Sequence, residues 1–95
     1  MKAAVLIANG QIKLREVNDP ILKSDECRIK VRAAGVCSSD IARAFAGEAY
    51  AYPLIMGHEL SGEIVDVGAK CVKTFSAGER VAVYPLLFCG KCEAC

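Results

Sequence analysis

Ninety-five residues can build one small domain at most, with a modest core. A hydrophobic fraction of 54% and only three prolines argue against disorder, and a net charge of +1 with no basic run offers nothing to nucleic acid or a membrane surface. The apolar run from Ala3 to Ala8 is too short to span a bilayer and stops at a turn dipeptide, so neither an anchor nor a signal peptide is expected.

The predicted elements are mostly strands. Ala3 to Ile7 and Ile12 to Val17 flank Asn9-Gly10 and predict a hairpin. In its second strand Ile12, Leu14 and Glu16 alternate with Lys13, Arg15 and Val17, which predicts one mostly apolar face, and Asn18-Asp19-Pro20 closes it. Cys27, Ile29, Val31 and Ala33 alternate with Arg28, Lys30 and Arg32; this is the pattern of a half-buried strand with a solvated basic face, not of a phosphate site. Gly35 breaks that strand. Ser38, Ser39 and Asp40 are cap-type residues ahead of a short helix over 41–45, with Ile41 and Phe45 on one face. Tyr50 to Pro53 reads as loop, Gly62 to Val67 as a strand, Ala77-Gly78-Glu79 as a turn and Arg80 to Tyr84 as a last strand. Short strands between frequent turn signals predict a mainly β fold, a small barrel or sandwich with one short helix.

The polar chemistry falls between the strands. Cys37 follows a strand at the mouth of the helix, and His58 and Glu59 follow Gly57. Thiolate, imidazole and carboxylate are the ligand types a catalytic zinc site collects, with one position left open. Residue types alone leave His58, the one histidine, either as a ligand or as an ordinary core or surface residue. A second set is Cys89, Cys92 and Cys95, in the run Cys89-Gly90-Lys91-Cys92-Glu93-Ala94-Cys95. Thiolates at that spacing wrap one metal ion, and structural zinc takes four ligands. With Met1 read as a true start, the chain is therefore expected to be the front piece of a longer protein. The same spacing opens a bacterial iron–sulfur motif, so an iron–sulfur protein is a second reading, and a non-catalytic zinc-binding β module is a third. Without a secretion signal, all six cysteines read as cytoplasmic thiols or ligands and not as a disulfide framework. Cys27 and Cys71 fit no ligand spacing and read as a small buried hydrophobe and a turn residue.

Four stretches, Gly35-Val36-Cys37-Ser38-Ser39-Asp40, Gly57-His58-Glu59-Leu60-Ser61-Gly62-Glu63, Gly78-Glu79-Arg80-Val81 and the terminal thiol run, occur in one order along nearly the whole chain. Together they closely resemble the zinc-containing medium-chain alcohol dehydrogenases. Ser39 to Phe45, Tyr52 to Glu59 and Tyr84 to Leu87 are most similar to the polyol branch, whose types are sorbitol dehydrogenase and galactitol-1-phosphate 5-dehydrogenase. The resemblance implies a GroES-like fold, here a truncated, partial β-barrel with 1–95 as the N-terminal part of the catalytic domain. The complete enzyme would continue into a Rossmann domain that binds NAD or NADP. It would oxidise a primary or secondary alcohol, a polyol or sugar phosphate, by hydride transfer to the nicotinamide, as a cytoplasmic homo-oligomer (dimer or tetramer).

The resemblance also assigns roles. Cys37 and His58 match two catalytic-zinc ligands. Glu59 matches the acidic residue beside that metal, a direct ligand in polyol enzymes and an outer partner elsewhere. Neighbours in a regular strand point to opposite faces, so His58 and Glu59 can share one ion only where the backbone leaves strand geometry. Ser39 matches the hydroxyl that carries the alcohol proton away, and Asp40 the carboxylate that orients the ligand imidazole. Cys89, Cys92 and Cys95 match three ligands of a structural zinc. Glu79 departs from the Asp usual in the family turn. No Gly-x-Gly-x-x-Gly occurs, so no cofactor-binding residue is expected here and the chain alone is expected to be inactive. Arg43 reads as a solvated helix-face residue, with contact to a substrate phosphate as the alternative if the sugar-phosphate branch holds. Phe45, Tyr50 and Tyr52 read as core or rim packing, with the lining of a substrate pocket as theirs.

Overall fold

The computed structural model describes residues 1–93 and 95; Ala94, within the terminal thiol run, lies outside them. The elements follow in the order β1 (Lys2–Ala8), β2 (Gln11–Glu16), β3 (Cys27–Ala34), α1 (Ser38–Phe45), β4 (Leu54–Ile55), β5 (Leu60–Val67) and β6 (Arg80–Ala82). Hydrogen bonding sorts the strands into two three-stranded antiparallel sheets, ordered β2-β1-β4 and β3-β5-β6. Among the described residues the fold is mainly β with one short helix, as the turn spacing predicts. Among the described residues no helix is long and apolar enough to cross a membrane.

The first sheet grows from the hairpin. Gly10 takes a positive φ of 71°, the left-handed conformation that a tight Asn-Gly hairpin requires, and Leu6 pairs with Ile12 across it. β4 then pairs Val5 with Ile55 and Leu6 with Leu54 on the far side of β1. That leaves β2 as an edge strand, and all six of its residues are exposed, Leu14 by 70%. The alternation in β2 predicts an apolar face toward a core, and here the structure differs: nothing among the described residues packs over that edge.

The second sheet pairs β3 with β5 and β5 with the short β6. The basic face of β3 is answered by acids on β5, with Arg28 Nη1 3.7 Å from Asp66 and Arg32 Nη2 3.1 Å from Glu63. These are exposed pairs of small energetic weight, and they support the solvated reading of that face. A Cβ at Gly62 would collide with the backbone carbonyl of Lys30, which is why only glycine fits there on β5. β5 starts at Leu60 rather than Gly62 because Leu60 still pairs with Ala34, and β6 stops at Ala82 because its ladder to β5 has only three rungs.

The helix begins earlier than its cap-type residues suggest. Cys37 is the N-cap, with extended backbone, and the Asp40 carboxylate accepts the Cys37 backbone N–H at 3.0 Å through Oδ2. Ser38 and Ser39 therefore sit inside the first turn. The buried face carries Asp40 and Ala44, one turn apart, whereas Ile41 and Phe45 are 52% and 58% exposed. Two bonds from the hairpin turn hold the far end of the helix: Gly10 N–H to the Ala44 carbonyl at 2.6 Å, and Gly47 N–H to Asn9 Oδ1 at 3.0 Å. At the near end Gly35 N–H donates to the Glu59 carbonyl at 2.7 Å. The start of α1 is thus fastened between the end of β3 and the approach to β5. Leu6 and Ile64, one from each sheet, are the fully buried large side chains, and Ala3, Val5 and Ala44 complete the small core.

Candidate metal centre

Three segments converge at the start of α1. Cys37 caps the helix. His58 and Glu59 lie between β4 and β5, outside the ladder, just after Gly57 at φ 111°. The backbone therefore leaves strand geometry at the place where two neighbouring side chains must reach one point. They do reach it: one donor atom from each of Cys37, His58 and Glu59 lies within 4.8 Å of the others. Cys37 and His58 are half-buried and Glu59 is exposed. The Ser39 hydroxyl and then its backbone N–H, followed by the His58 imidazole and the Ser38 hydroxyl, hold the Cys37 thiol below its usual range. A helix N-terminus favours the thiolate in the same direction.

Asp40 ties the set together. It is 6% exposed, and its Oδ1 stands 3.4 Å from His58 Nδ1 and 3.5 Å from Arg43 Nη1. Neither contact is aligned as a hydrogen bond, so Oδ1 is a buried polar atom that faces an imidazole and a guanidinium with no aligned donor. A carboxylate facing one imidazole nitrogen selects the tautomer that leaves the other nitrogen's lone pair for a metal. Arg43 also donates from Nη1 to Ser39 Oγ at 3.0 Å. Arg43 is 34% exposed and lines a cleft of about 350 Å³. His58, Asp40 and Tyr50 line the same cleft, with Met56 and Leu86 on its apolar side. Cys37, Ser39 and Glu59 are not among the lining residues. Phe45 and Tyr52 are exposed and lie away from the cleft lining.

The terminal thiols gather as well. The sulfurs of Cys89 and Cys92 are 3.5 Å apart, and Cys95 is 3.3 Å from each. A tetrahedral ion with metal–sulfur bonds of about 2.3 Å spaces its thiolates by roughly 3.8 Å, so the three sulfurs form something close to one face of such a site. The backbone N–H groups of Lys91 and Cys92, with the Cys95 and Cys92 thiols, pull the Cys89 thiol down to about 6. All six cysteines are free.

Spacing in the sequence missed three features. Gly35 lies against Glu59, and a Cβ there would come 2.6 Å from Oε2. Arg43 clamps Ser39 and Asp40. Cys27 and Cys71 are neighbours: burial first, then the Cys71 thiol and the Glu79 carboxylate, push the Cys27 thiol up. The first was hidden because a glycine leaves no chemical signature, the others because their partners are supplied by the fold.

Both donor sets fit zinc. One combines thiolate, imidazole and carboxylate with an oriented imidazole; the other is an all-thiolate cluster. The chain matches the alcohol dehydrogenase GroES-like domain over residues 23–95. It is 44% identical over 99 aligned positions to the sorbitol dehydrogenase of Bacillus subtilis (strain 168), an alignment covering 100% of this chain and 28% of that protein. The crystal structure of galactitol-1-phosphate dehydrogenase from Escherichia coli superposes with a TM-score of 0.93 at 40% identity, covering 100% of this chain and 28% of that one. A protein of Escherichia coli CFT073 described as a short chain alcohol dehydrogenase, solved in complex with NADH, superposes with a TM-score of 0.89 at 37% identity over 100% of this chain and 27% of its own. The two small sheets and single helix are thus the GroES-like arrangement that the motifs implied, and the chain spans little more than a quarter of the length of these relatives. A domain match over most of the sequence, with relatives that align to all of it, means that the chain belongs to the GroES-like domain family of the alcohol dehydrogenases, within the zinc-containing medium-chain set.

Proposed function

We propose that residues 1–95 form the N-terminal part of the catalytic domain of a zinc-dependent polyol or alcohol dehydrogenase, which oxidises a primary or secondary alcohol by hydride transfer to NAD or NADP. The observation that carries the reading is the convergence of Cys37, His58 and Glu59 donor atoms within 4.8 Å at a helix N-terminus. Zinc held there supplies Lewis acidity toward a hydroxyl. Cys37, His58 and Glu59 hold the ion, and Asp40 orients His58. Ser39, two residues after Cys37 and fixed by Arg43, carries the substrate proton toward solvent. The cleft beside His58 receives the substrate carbon chain, with Arg43 and Tyr50 as its polar contacts. Cys89, Cys92 and Cys95 hold a second, structural zinc. The names of the relatives, sorbitol dehydrogenase and galactitol 1-phosphate 5-dehydrogenase, support a polyol or sugar-phosphate substrate class, and the NADH-bound relative supports a nicotinamide cofactor held by a further domain. Six free thiols support a reducing, cytoplasmic setting, and a homo-oligomer is the expected assembly of the whole enzyme.

The test is turnover of polyols with NAD and NADP by the whole enzyme carrying this segment, with and without Cys37→Ser. Loss of turnover together with one zinc per subunit is expected. Unchanged turnover in the variant overturns the reading. A brown protein with visible iron absorption would favour an iron–sulfur cluster at the terminal thiols instead.

A further inference from the structure

We propose that Gly35 is a positioning residue for Glu59: its bare Cα leaves the space through which the Glu59 carboxylate reaches the Cys37–His58 pair. The two residues face each other across the end of the β3–β5 ladder, where Gly35 N–H donates to the Glu59 carbonyl at 2.7 Å. An ideal Cβ on Gly35 would lie 2.6 Å from Glu59 Oε2, 3.2 Å from its Cβ and 3.6 Å from its Cδ. Backbone conformation does not require the glycine, since Gly35 is not among the glycines at positive φ. Its situation also differs from that of Gly62 and Gly68, where an added Cβ would strike backbone carbonyls of Lys30 and Lys23 and so disturb the chain itself. At Gly35 the obstructed atom is the tip of a flexible, exposed side chain. A methyl group would be accommodated by rotating the carboxylate away, and the fold would give by a few tenths of an ångström at the Glu59 Cβ. The consequence falls on the donor set and not on the sheet: two of the three donors would remain together and the third would leave.

This inference rests on the reading of Cys37, His58 and Glu59 as one metal site. The test is titration with cobalt(II) in a Cys89→Ser/Cys92→Ser background, which leaves that site as the single candidate, read by thiolate-to-metal absorption and by dissociation constant. Gly35→Ala should keep the parent's circular dichroism and weaken cobalt binding by about 10-fold or more, the scale for losing a supporting group at a metal site. Glu59→Ala should weaken it to a similar degree, and Gly35→Ala/Glu59→Ala should bind no more weakly than Glu59→Ala. Gly35→Ala binding as tightly as the parent overturns the inference. So does a further loss in the double variant, or an unfolded Gly35→Ala, because either gives the glycine a role independent of Glu59. A parent that binds no cobalt, or binds it equally after Cys37→Ser, overturns the metal-site reading itself and the inference with it.

Discussion

Oδ1 of Asp40 stands 3.4 Å from Nδ1 of His58, while Oδ2 of the same carboxylate accepts the backbone N–H of Cys37 at 3.0 Å. One buried side chain therefore faces the imidazole with one oxygen and holds the backbone of the thiol with the other. Its two oxygens do different work, and two substitutions separate them. Asp40→Ala removes the cap and should cost about 1–2 kcal/mol of stability in the presence of chelator. Asp40→Asn keeps an oxygen for the Cys37 amide and should cost less than about 1 kcal/mol. Both should lower metal affinity at Cys37 and His58 by about 10- to 100-fold. Denaturant unfolding with chelator and cobalt titration without it measure the two effects. Parent-like affinity in Asp40→Asn would show the Asp40–His58 contact to be idle.

A second prediction concerns the terminal thiols. Cys89, pulled from 9.0 to about 6 by the Lys91 and Cys92 amides and the neighbouring sulfurs, is mostly thiolate at neutral pH. With chelator present, its alkylation rate should reach half its maximum near pH 6 and level off above that. A thiol at its ordinary value of 9.0 is only half-maximal at pH 9 and is still gaining rate there. Metal binding at this cluster should weaken as pH falls through the same region, because protons then compete for the sulfur. Peptide mapping of iodoacetamide adducts across pH 5 to 9 checks this. A Cys89 rate that goes on rising through pH 8 contradicts the sulfur arrangement.

How much was legible follows from what is local. The hairpin at Asn9-Gly10 and the alternation of β3 were readable because turn chemistry and period-two patterning are written in adjacent residues. β4 was not, since two residues, Leu54 and Ile55, carry no period and exist as a strand only through Val5 and Leu6. The helix starts before the point that the cap-like Ser38 and Ser39 suggest, because the capping oxygen comes from Asp40, folded back onto Cys37. Ile12 and Leu14 looked like a core face, and only the sheet order reveals β2 as an uncovered edge. Residue types and family motifs point to the donor residues, but the backbone turn at Gly57 and the Gly35–Glu59 contact beside them are contained in no spacing rule.

A third prediction is that the 95-residue chain alone will not reduce NAD or NADP in the presence of sorbitol or galactitol 1-phosphate. Hydride transfer needs the nicotinamide held against the substrate carbon, and no nucleotide-binding glycine motif occurs in the sequence. A spectrophotometric assay of reduced nicotinamide formation with added zinc suffices. Polyol-dependent signal that survives purification and vanishes in Cys37→Ser would show this chain to be catalytically self-sufficient.

The last prediction separates two uses of the Ser39 hydroxyl. It lies inside the first turn of α1 and accepts from Arg43 Nη1 at 3.0 Å, while the capping oxygen comes from Asp40. Loss of a true cap costs about 1 kcal/mol, so Ser39→Ala should fall short of that. If the hydroxyl relays the substrate proton, turnover of the whole enzyme should drop by roughly 10²-fold or more in Ser39→Ala, the scale of lost acid–base assistance. Metal content should be unchanged, because the hydroxyl is not a ligand, and Ser39→Thr should keep most of the activity by preserving the oxygen. Steady-state turnover, metal analysis and thermal melts of the three proteins decide between the roles. Normal turnover in Ser39→Ala, with a lowered melting temperature, would return Ser39 to a purely structural part in the helix.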